Sequence, residues 1–178
     1  FRSSVAARTI HKYGKVIIND ISAGELDPLI VDVVAEHDVP YVAMHMKGDP
    51  RTMQSMTDYH DIVAEVVDYF RERTAQLRER GVRRIVVDPG FGFAKTLEQN
   101  YELLRGLHSL AELGYPVLAG VSRKSMIYKL LGTTPAEALN GTTALHWECL
   151  RQGAVILRAH DTREAVEVVR MFDQFMQA

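Results

Sequence analysis

Short apolar runs alternate with longer amphipathic segments along the whole chain of 178 residues. The runs are rich in valine and isoleucine and predict five buried strands, which begin near residues 16, 41, 85, 116 and 154. Between them, apolar side chains recur three and four residues apart, as in Ile62, Val66 and Phe70, which predicts helices. This alternation predicts an α/β fold with a mostly parallel sheet, because parallel strands need long crossovers that pack back onto the sheet.

The composition excludes several kinds of partner. The net charge of -2 gives no bulk electrostatic reason to bind nucleic acid or an anionic membrane. No apolar run approaches the roughly 18 residues that a membrane span needs. The single cysteine, Cys149, can form neither an internal disulfide nor a cysteine metal cluster, which suits a reducing compartment and predicts a cytoplasmic protein.

Two architectures fit the alternation, an open doubly wound sheet and a closed barrel. The open sheet usually carries a G-x-G-x-x-G fingerprint after its first strand, and the sequence contains none. In a barrel, the active site collects side chains from the carboxyl ends of all the strands. Because polar residues follow every one of the five predicted strands, we expect a (β/α)8 TIM barrel; these residues lie at 19–20, 44–46, 88–90, 120–124 and 158–160.

The spacing of the strands predicts that the chain covers only part of such a barrel. Successive strands start about 34 residues apart on average, so eight units would need roughly 276 residues, close to the typical size of the fold. We therefore expect residues 1–178 to form one barrel domain that runs from the helix after strand 3 through the final helix. Strands 4 to 8 would lie in this chain, and strands 1 to 3 would be missing from its front.

A carboxylate and an amide stand at the ends of the third and first predicted strands. Asp88 shares a strand face with Val86, which predicts a buried carboxylate at the barrel mouth; the alternative is that it caps the turn at 89–90. Asn19 can donate and accept hydrogen bonds, so it either contacts a heterocyclic ligand or ties down the turn after its strand. Asp20 points to the opposite face, and we expect it to be structural.

Basic side chains collect after the fourth and fifth strands. The segment 122–125 opens a helix, where free backbone N–H groups favour anions, and Lys124 adds a positive charge; plain helix capping is the alternative. Arg158 and His160 lie two residues apart and therefore share a strand face. An arginine fork holds two oxygens and a histidine adds a charge-assisted hydrogen bond, which favours a diphosphate site at the last loops of the barrel.

Two apolar side chains have both a functional and a packing interpretation. Met44 would lay a polarizable thioether against a flat ring, and Phe93 would wall a site for an aromatic amine. Burial in the core is the alternative for both. His45 lies on the strand face opposite Met44, and we expect it to pack in the core.

Five segments at strand ends, taken together and in order, resemble the dihydropteroate synthase family. They are INDIS at 18–22, MHMKG at 44–48, DPGFGFAK at 88–95, SRKS at 122–125 and RAHD at 158–161. The resemblance covers nearly the whole chain and implies an eight-fold barrel. It also implies a transferase that condenses 6-hydroxymethyl-7,8-dihydropterin diphosphate with p-aminobenzoate, giving 7,8-dihydropteroate and diphosphate for folate synthesis.

The resemblance assigns a role to each candidate residue, position by position. Three ligand groups are expected to meet at one barrel mouth: the pterin, the p-aminobenzoate and the diphosphate. The resemblance places Asn19, Asp88, Lys124 and Met44 on the pterin, Phe93, Lys124 and Ser125 on the p-aminobenzoate, and Arg158 and His160 on the diphosphate.

The resemblance also implies a metal, a partner and a drug class. The family usually binds Mg²⁺ through the diphosphate and an asparagine after its first strand, which has no counterpart in this sequence, so no metal ligand is expected within it. A homodimer through the late helices and sensitivity to sulfonamides, which mimic p-aminobenzoate, are further expectations.

Two features keep other functions open. The family's mobile loops after strands 1 and 2, and its pterin-contacting aspartate after strand 3, have no counterpart here; a protein starting at Phe1 would be an open barrel with poor activity. A pterin-binding methyltransferase domain of the same barrel group would share Asn19 and Asp88 but lack a diphosphate site. A non-catalytic barrel remnant that serves as an interaction module is the other alternative.

Overall fold

Five parallel strands alternate with helices in the computed structural model, which describes residues 2–48 and 51–177. The strands are β1 (Ile18–Asp20), β2 (Tyr41–Met44), β3 (Ile85–Asp88), β4 (Leu118–Ala119) and β5 (Ile156–Leu157). The α-helices are α1 (Ser3–Tyr13), α2 (Leu29–His37), α3 (Ile62–Glu79), α4 (Leu97–Arg105), α5 (His108–Ala111), α6 (Ser125–Tyr128), α7 (Leu139–Arg151) and α8 (Thr162–Gln177). Single 3-10 turns occupy Met53–Ser55 and Pro135–Glu137. Among the residues described, none of the helices has the length and hydrophobicity to cross a bilayer.

The order of the strands in space follows their order in the chain. β1 pairs with β2 and β2 with β3, all parallel, and β4 pairs in parallel with β5. A parallel bridge between Val87 and Val117 joins the two groups. A doubly wound sheet would reverse its strand order at a switch point, and the described strands show no such reversal. The topology is therefore that of a singly wound barrel sheet.

Curvature brings the first and last strands together. In a flat sheet, β1 and β5 would lie about 19 Å apart, four spacings of about 4.8 Å. Arg158, just after β5, nevertheless donates a hydrogen bond from Nη1 to Asn19 Oδ1 of β1 at 3.1 Å. The sheet must bend toward its inner face for one side chain to bridge that gap.

The two faces of the sheet pack against different partners. Outward side chains such as Tyr41, Ala43 and Val87 are fully buried and join the helices in one large core. Inward side chains Val42 and Val86, with Leu118, form a separate small apolar cluster. Helices thus cover the outer face, and the strands themselves fill the inner one, as in a barrel.

The predicted strands are confirmed in number and order, with corrections at their ends. β2 begins at residue 41 as predicted, whereas β1, β4 and β5 each begin two residues later than expected. The expectation of burial is wrong for the last strand, since Val155 is 66 % exposed and Ile156 is 36 % exposed. β5 pairs on one side only among the described strands, so its side chains lack a second neighbouring strand that would cover them.

Asp20 ties β1 to β2 and shapes the turn that follows. Its Oδ1 accepts hydrogen bonds from the backbone N–H and the hydroxyl of Ser22, at 2.9 and 2.8 Å. Its Oδ2 accepts from the Gly24 N–H at 2.8 Å and from the Tyr41 hydroxyl at 2.7 Å. The prediction that Asp20 is structural is confirmed, because a carboxylate 1 % exposed has all of these donors within the core.

Replacing Asp20 should destabilise the fold much more than trimming one of its partners. Asp20→Ala leaves buried donors without an acceptor and should lower the free energy of unfolding by about 3 kcal/mol. Tyr41→Phe, the matched control, removes one donor and should lower it by about 1 kcal/mol. Urea denaturation measures both; equal losses would show that the carboxylate does not organise the turn.

Candidate active site

Three of the predicted residues meet where the strands end. Arg158 Nη1 lies 3.1 Å from Asn19 Oδ1 and 2.8 Å from Asp88 Oδ2. These side chains come from the ends of β1, β3 and β5, and all point to the inner face. Parallel strands in a curved sheet bring their carboxyl ends to one rim, so the predicted convergence is what the topology produces.

The two carboxylate oxygens of Asp88 have different surroundings, one in the backbone turn and one beside Arg158. The side chain is fully buried, and Oδ1 accepts a hydrogen bond from the Gly90 N–H at 2.8 Å. Oδ2 is close to the guanidinium of Arg158, but the N–H directions do not align with it, and it has no hydrogen-bond partner among the described residues. Turn capping, one of the two alternatives posed above, is therefore confirmed for Oδ1, and ligand binding stays a prediction that concerns Oδ2.

Arg158 reaches the rim because Gly120, after β4, has no side chain. A Cβ at Gly120 would collide with the guanidinium of Arg158. The sequence pattern did not single out this glycine for that role. The guanidinium is 40 % exposed although its partner Asp88 is buried, so it joins a buried carboxylate to the open mouth.

Ser122 and Arg123 hold the loops after β4 and β5 together. The Ser122 hydroxyl accepts a hydrogen bond from the His160 backbone N–H at 3.1 Å and lies 3.0 Å from its Nδ1. Arg123 Nε and Nη2 donate to the two oxygens of Asp161, each at 2.8 Å. The contacts with Ser122 thus orient His160, which stays exposed to solvent. Arg123 is a structural cross-link, so of the two basic residues in this loop Lys124 alone faces the rim.

Lys124 lies against the loop after β3. Its Nζ donates a hydrogen bond to the Phe91 carbonyl and sits 4.7 Å from the centre of the Phe93 ring. Burial lowers the pKa of Lys124 to about 8; the nearby Asp88 opposes this shift, and Arg158 adds to it. Phe93 is half-buried, whereas Phe91 is fully buried in the core, which leaves Phe93 as the exposed aromatic wall.

A polar cavity of about 240 Å³ opens beside this loop. Gly92, Lys95, Asn100 and Ser125 are among the residues that line it. Ser125, predicted to contact an arylamine carboxylate, therefore faces open space next to Phe93 and Lys124. A larger cavity of about 680 Å³ lies between α4 and α7 on the outer face, but helix side chains line it, away from the strand ends. The polar groups, rather than volume, identify the site.

Met44 lies on the inner wall beside the Asp88 turn. It is opposite Asp88 in the register of β2 and β3, it is 1 % exposed, and it packs close to Gly90. These contacts fit the packing role that the sequence left open, and they also put the thioether next to the carboxylate.

A buried lysine behind the rim, Lys95, has no role in the sequence predictions, and it contacts the buried His45. Lys95 Nζ lies 3.1 Å from Nδ1 of His45 and donates to the carbonyls of Gly90 and Phe93. Burial lowers the pKa of Lys95 to about 7, and burial, with the nearby lysines, also lowers the pKa of His45. His45 packs edge-on against Tyr69 at 4.9 Å, so its predicted place in the core is confirmed. The sequence does contain a hint of Lys95, since it is the last residue of the DPGFGFAK segment.

Metal-binding side chains do not cluster in this part of the protein. Within residues 2–48 and 51–177, no group of three histidine, cysteine, aspartate or glutamate side chains could hold an ion. Asp88, the buried carboxylate at the end of β3, is paired with Arg158.

Comparison with known proteins agrees with this geometry. The family model described as "Pterin binding enzyme" matches residues 1–160. The chain belongs to the pterin binding enzyme family. It is 41 % identical to the dihydropteroate synthase of Synechocystis over 97 % of this chain and 60 % of that relative. The chain thus spans about three fifths of the length of that curated relative.

Solved structures of the family share the fold. The dihydropteroate synthase of Thermus thermophilus matches 97 % of this chain and 69 % of its own, with a TM-score of 0.91 at 38 % identity. Other structures of that enzyme are complexes with 6HMPPP and with 4-aminobenzoate. The Yersinia pestis dihydropteroate synthase, in a sulfonamide drug complex, matches 99 % of this chain and 64 % of its own, with a TM-score of 0.94 at 32 % identity. These likenesses confirm the barrel architecture that the strand ends predict, because the fold of this chain matches the solved enzymes over nearly its whole length.

The two buried lysines of the site should titrate far below ordinary lysine. With the protein's lysines labelled with ¹³C at Cε, we expect midpoints near 7 for Lys95 and near 8 for Lys124, against an ordinary value of 10.5. Desolvation disfavours the charged form, so each loses its proton as the pH rises through its midpoint. Lys95→Arg and Lys124→Arg identify the resonances; midpoints near 10.5 would contradict the burial described here.

Proposed function

We propose that the protein containing this chain is a dihydropteroate synthase. It joins 6-hydroxymethyl-7,8-dihydropterin diphosphate to p-aminobenzoate and releases diphosphate. One observation carries the proposal: the buried carboxylate of Asp88 has one oxygen without a hydrogen bond, and this oxygen lies 2.8 Å from the arginine that leads to the open mouth. The kinship with dihydropteroate synthases, one of them solved with 6HMPPP and with 4-aminobenzoate, supports the choice of ligands.

The pterin would occupy the inner end of the site. Its aminopyrimidinone edge presents neighbouring N–H donors, which suit the free Oδ2 of Asp88. The amide of Asn19, within reach of the same guanidinium, can both donate and accept. Met44 beside the turn would supply a polarizable contact to the flat ring. Burial makes this carboxylate selective, since a ligand without N–H donors would leave Oδ2 unsatisfied.

The diphosphate would lie toward the solvent, on Arg158 and His160. The arginine is already at the rim and half out of the protein, and Ser122 fixes the orientation of His160. A planar guanidinium binds two phosphoryl oxygens at once, and the histidine adds a further donor. A pterin-binding methyltransferase domain would not need these two residues, which favours the synthase.

The arylamine would approach from the side of β3 and β4. The exposed ring of Phe93 and the stem of Lys124 form an apolar wall, and the polar cavity beside them contains Ser125. A carboxylate of p-aminobenzoate would reach the Ser125 hydroxyl while its amine points to the pterin. Sulfonamides carry an aniline of similar shape, so we propose that they compete for this wall.

The reaction would need placement and charge rather than a strong base. The bond between the pterin methylene carbon and the diphosphate oxygen breaks, and its electron pair leaves with diphosphate. The neutral aniline nitrogen then bonds to that carbon, and its surplus proton passes to solvent. Arg158 and His160 would stabilise the charge that develops on diphosphate, while Asp88 and Asn19 would hold the pterin in line.

Mg²⁺ belongs to the proposal only as a companion of diphosphate. Hard oxygen ligands suit this ion, and substrate phosphates commonly supply several of them. Since the described residues contain no cluster that fits it, we assign it no ligand in the chain and no step.

We further propose that the chain contains the last five of the eight barrel units, strands 4 to 8, in a cytoplasmic homodimer. The five described strands and the three-fifths coverage of the relative support the first part. Exposed apolar side chains late in the chain, such as Met171 and Phe175, support a partner on that face. The single, buried, free Cys149 suits a reducing compartment.

The direct test is to incubate the native protein that contains this chain with the pterin diphosphate and p-aminobenzoate. Release of diphosphate and formation of dihydropteroate should rise together in equal amounts. An Asp88→Asn variant, which keeps the size but not the charge of the buried group, should lose most of the activity. If neither product forms, the synthase proposal fails and an interaction module becomes the better interpretation.

Arg158→Ala should separate the two halves of the ligand. Loss of a charged hydrogen bond of about 1.5–3 kcal/mol should weaken the pterin diphosphate roughly 10- to 150-fold, while free pterin, which does not bind Arg158, should lose no affinity. Asp88→Asn is the matched control, because it should weaken both ligands. Calorimetric titration measures all four affinities; equal losses for the two ligands in Arg158→Ala would rule out the diphosphate role.

A further inference from the structure

Lys95 is a buried lysine whose side-chain nitrogen is fully hydrogen-bonded inside the protein wall. It is 7 % exposed, and its ammonium group faces three acceptors: Gly90 O at 3.2 Å, Phe93 O at 3.0 Å and His45 Nδ1 at 3.1 Å. No carboxylate forms a salt bridge with it in the described residues. A buried ammonium is expensive to desolvate, so an apolar residue would suit mere packing better.

The three acceptors belong to parts of the site that must keep a fixed relation. Gly90 follows Asp88, whose Oδ1 holds the Gly90 N–H. Phe93 forms the aromatic wall, and His45 follows β2, where its backbone N–H donates to the Asp88 carbonyl at 2.9 Å. One ammonium thus joins the end of β2, the pterin carboxylate turn and the aromatic wall.

Two lysines share the carbonyl oxygens of this one loop. Lys95 donates to Gly90 O and Phe93 O, and Lys124 donates to Phe91 O. The loop is also pinned at Gly92, whose N–H donates to Asn100 Oδ1 at 2.6 Å. Lys95 is buried at the edge of the polar cavity, whereas Lys124 is only half-buried and can exchange its carbonyl for a ligand.

We propose that Lys95 is a positioning residue that fixes loop 90–93 so that Phe93 presents its ring to the arylamine at a set distance from Asp88. The inference rests on the proposed function and names the residue that sets its arylamine subsite. Without the ammonium, the carbonyls of Gly90 and Phe93 lose their shared donor and the aromatic wall loosens. The pterin end, held by Asp88 and Asn19, keeps its geometry.

The test compares Lys95→Met with wild type in two independent measurements. In hydrogen exchange, the Gly92 and Phe93 amides should exchange at least tenfold faster in the variant. In steady-state kinetics at saturating pterin diphosphate, KM for p-aminobenzoate should rise at least tenfold, while the Kd for pterin diphosphate stays within threefold. Lys95→Arg keeps a cation and should recover part of both effects.

Tyr41→Phe is the control for general destabilisation, since it alters the core without touching the loop. It should leave loop exchange and KM unchanged. If Lys95→Met exchanges like wild type at Gly92 and Phe93, the positioning role is overturned whether or not the protein is an enzyme. If the wild type turns over and KM for p-aminobenzoate does not move, the inference also falls while the synthase proposal stands. A wild type without activity refutes the synthase proposal instead, and the exchange data still decide the role of Lys95 in the loop.

Two His45 variants serve as the test if Lys95→Met fails to fold. His45→Gln keeps an acceptor for the lysine and should behave like wild type, whereas His45→Leu removes the acceptor and should show the faster loop exchange and the higher KM.

Discussion

Curvature of a parallel sheet covered by helices on one face is the constraint on which the site depends. The helices bury the outward side chains, so the inward ones must pack against one another across the bend. An apolar layer of Val42, Val86 and Leu118 fills the lower part of the inner face. Above it the same strands carry polar side chains, which then have nowhere to point except the mouth. The period of two along each strand stacks the functional layer on the structural one.

The charged side chains of the site are also arranged in order of depth, from the buried Asp88 to the exposed rim. Asp88 is fully buried yet keeps one oxygen without a hydrogen bond, while Arg158 spans from that oxygen to the open rim. Behind the rim, Lys95 is satisfied by carbonyls and a neutral ring nitrogen rather than by a carboxylate. The buried lysine therefore stiffens the wall through hydrogen bonds and leaves Asp88 to its ion pair with Arg158.

Local sequence pattern was enough to predict the strands, their order and the residues at their ends. The strand Tyr41–Met44 follows from an apolar run. The shared strand face of Arg158 and His160 follows from the period of two, and both patterns are local. Exposure of Val155 could not be predicted in this way, since burial depends on which strand lies alongside. Neither could the contact of Lys95 with His45, 50 residues apart, nor the need for glycine at position 120. Those depend on side chains meeting in space.

Under the proposed function, the ion pair between Asp88 and Arg158 would act as an internal stand-in for the substrate. Each partner occupies the place that one half of a pterin diphosphate would take on the other. Diphosphate alone would draw the guanidinium away and leave a buried carboxylate without its cation, which is costly. A molecule with N–H donors at one end and phosphoryl oxygens at the other exchanges both partners at once. The proposed site would therefore favour the linked molecule over its separate halves, because the two protein groups compete with the ligand for each other.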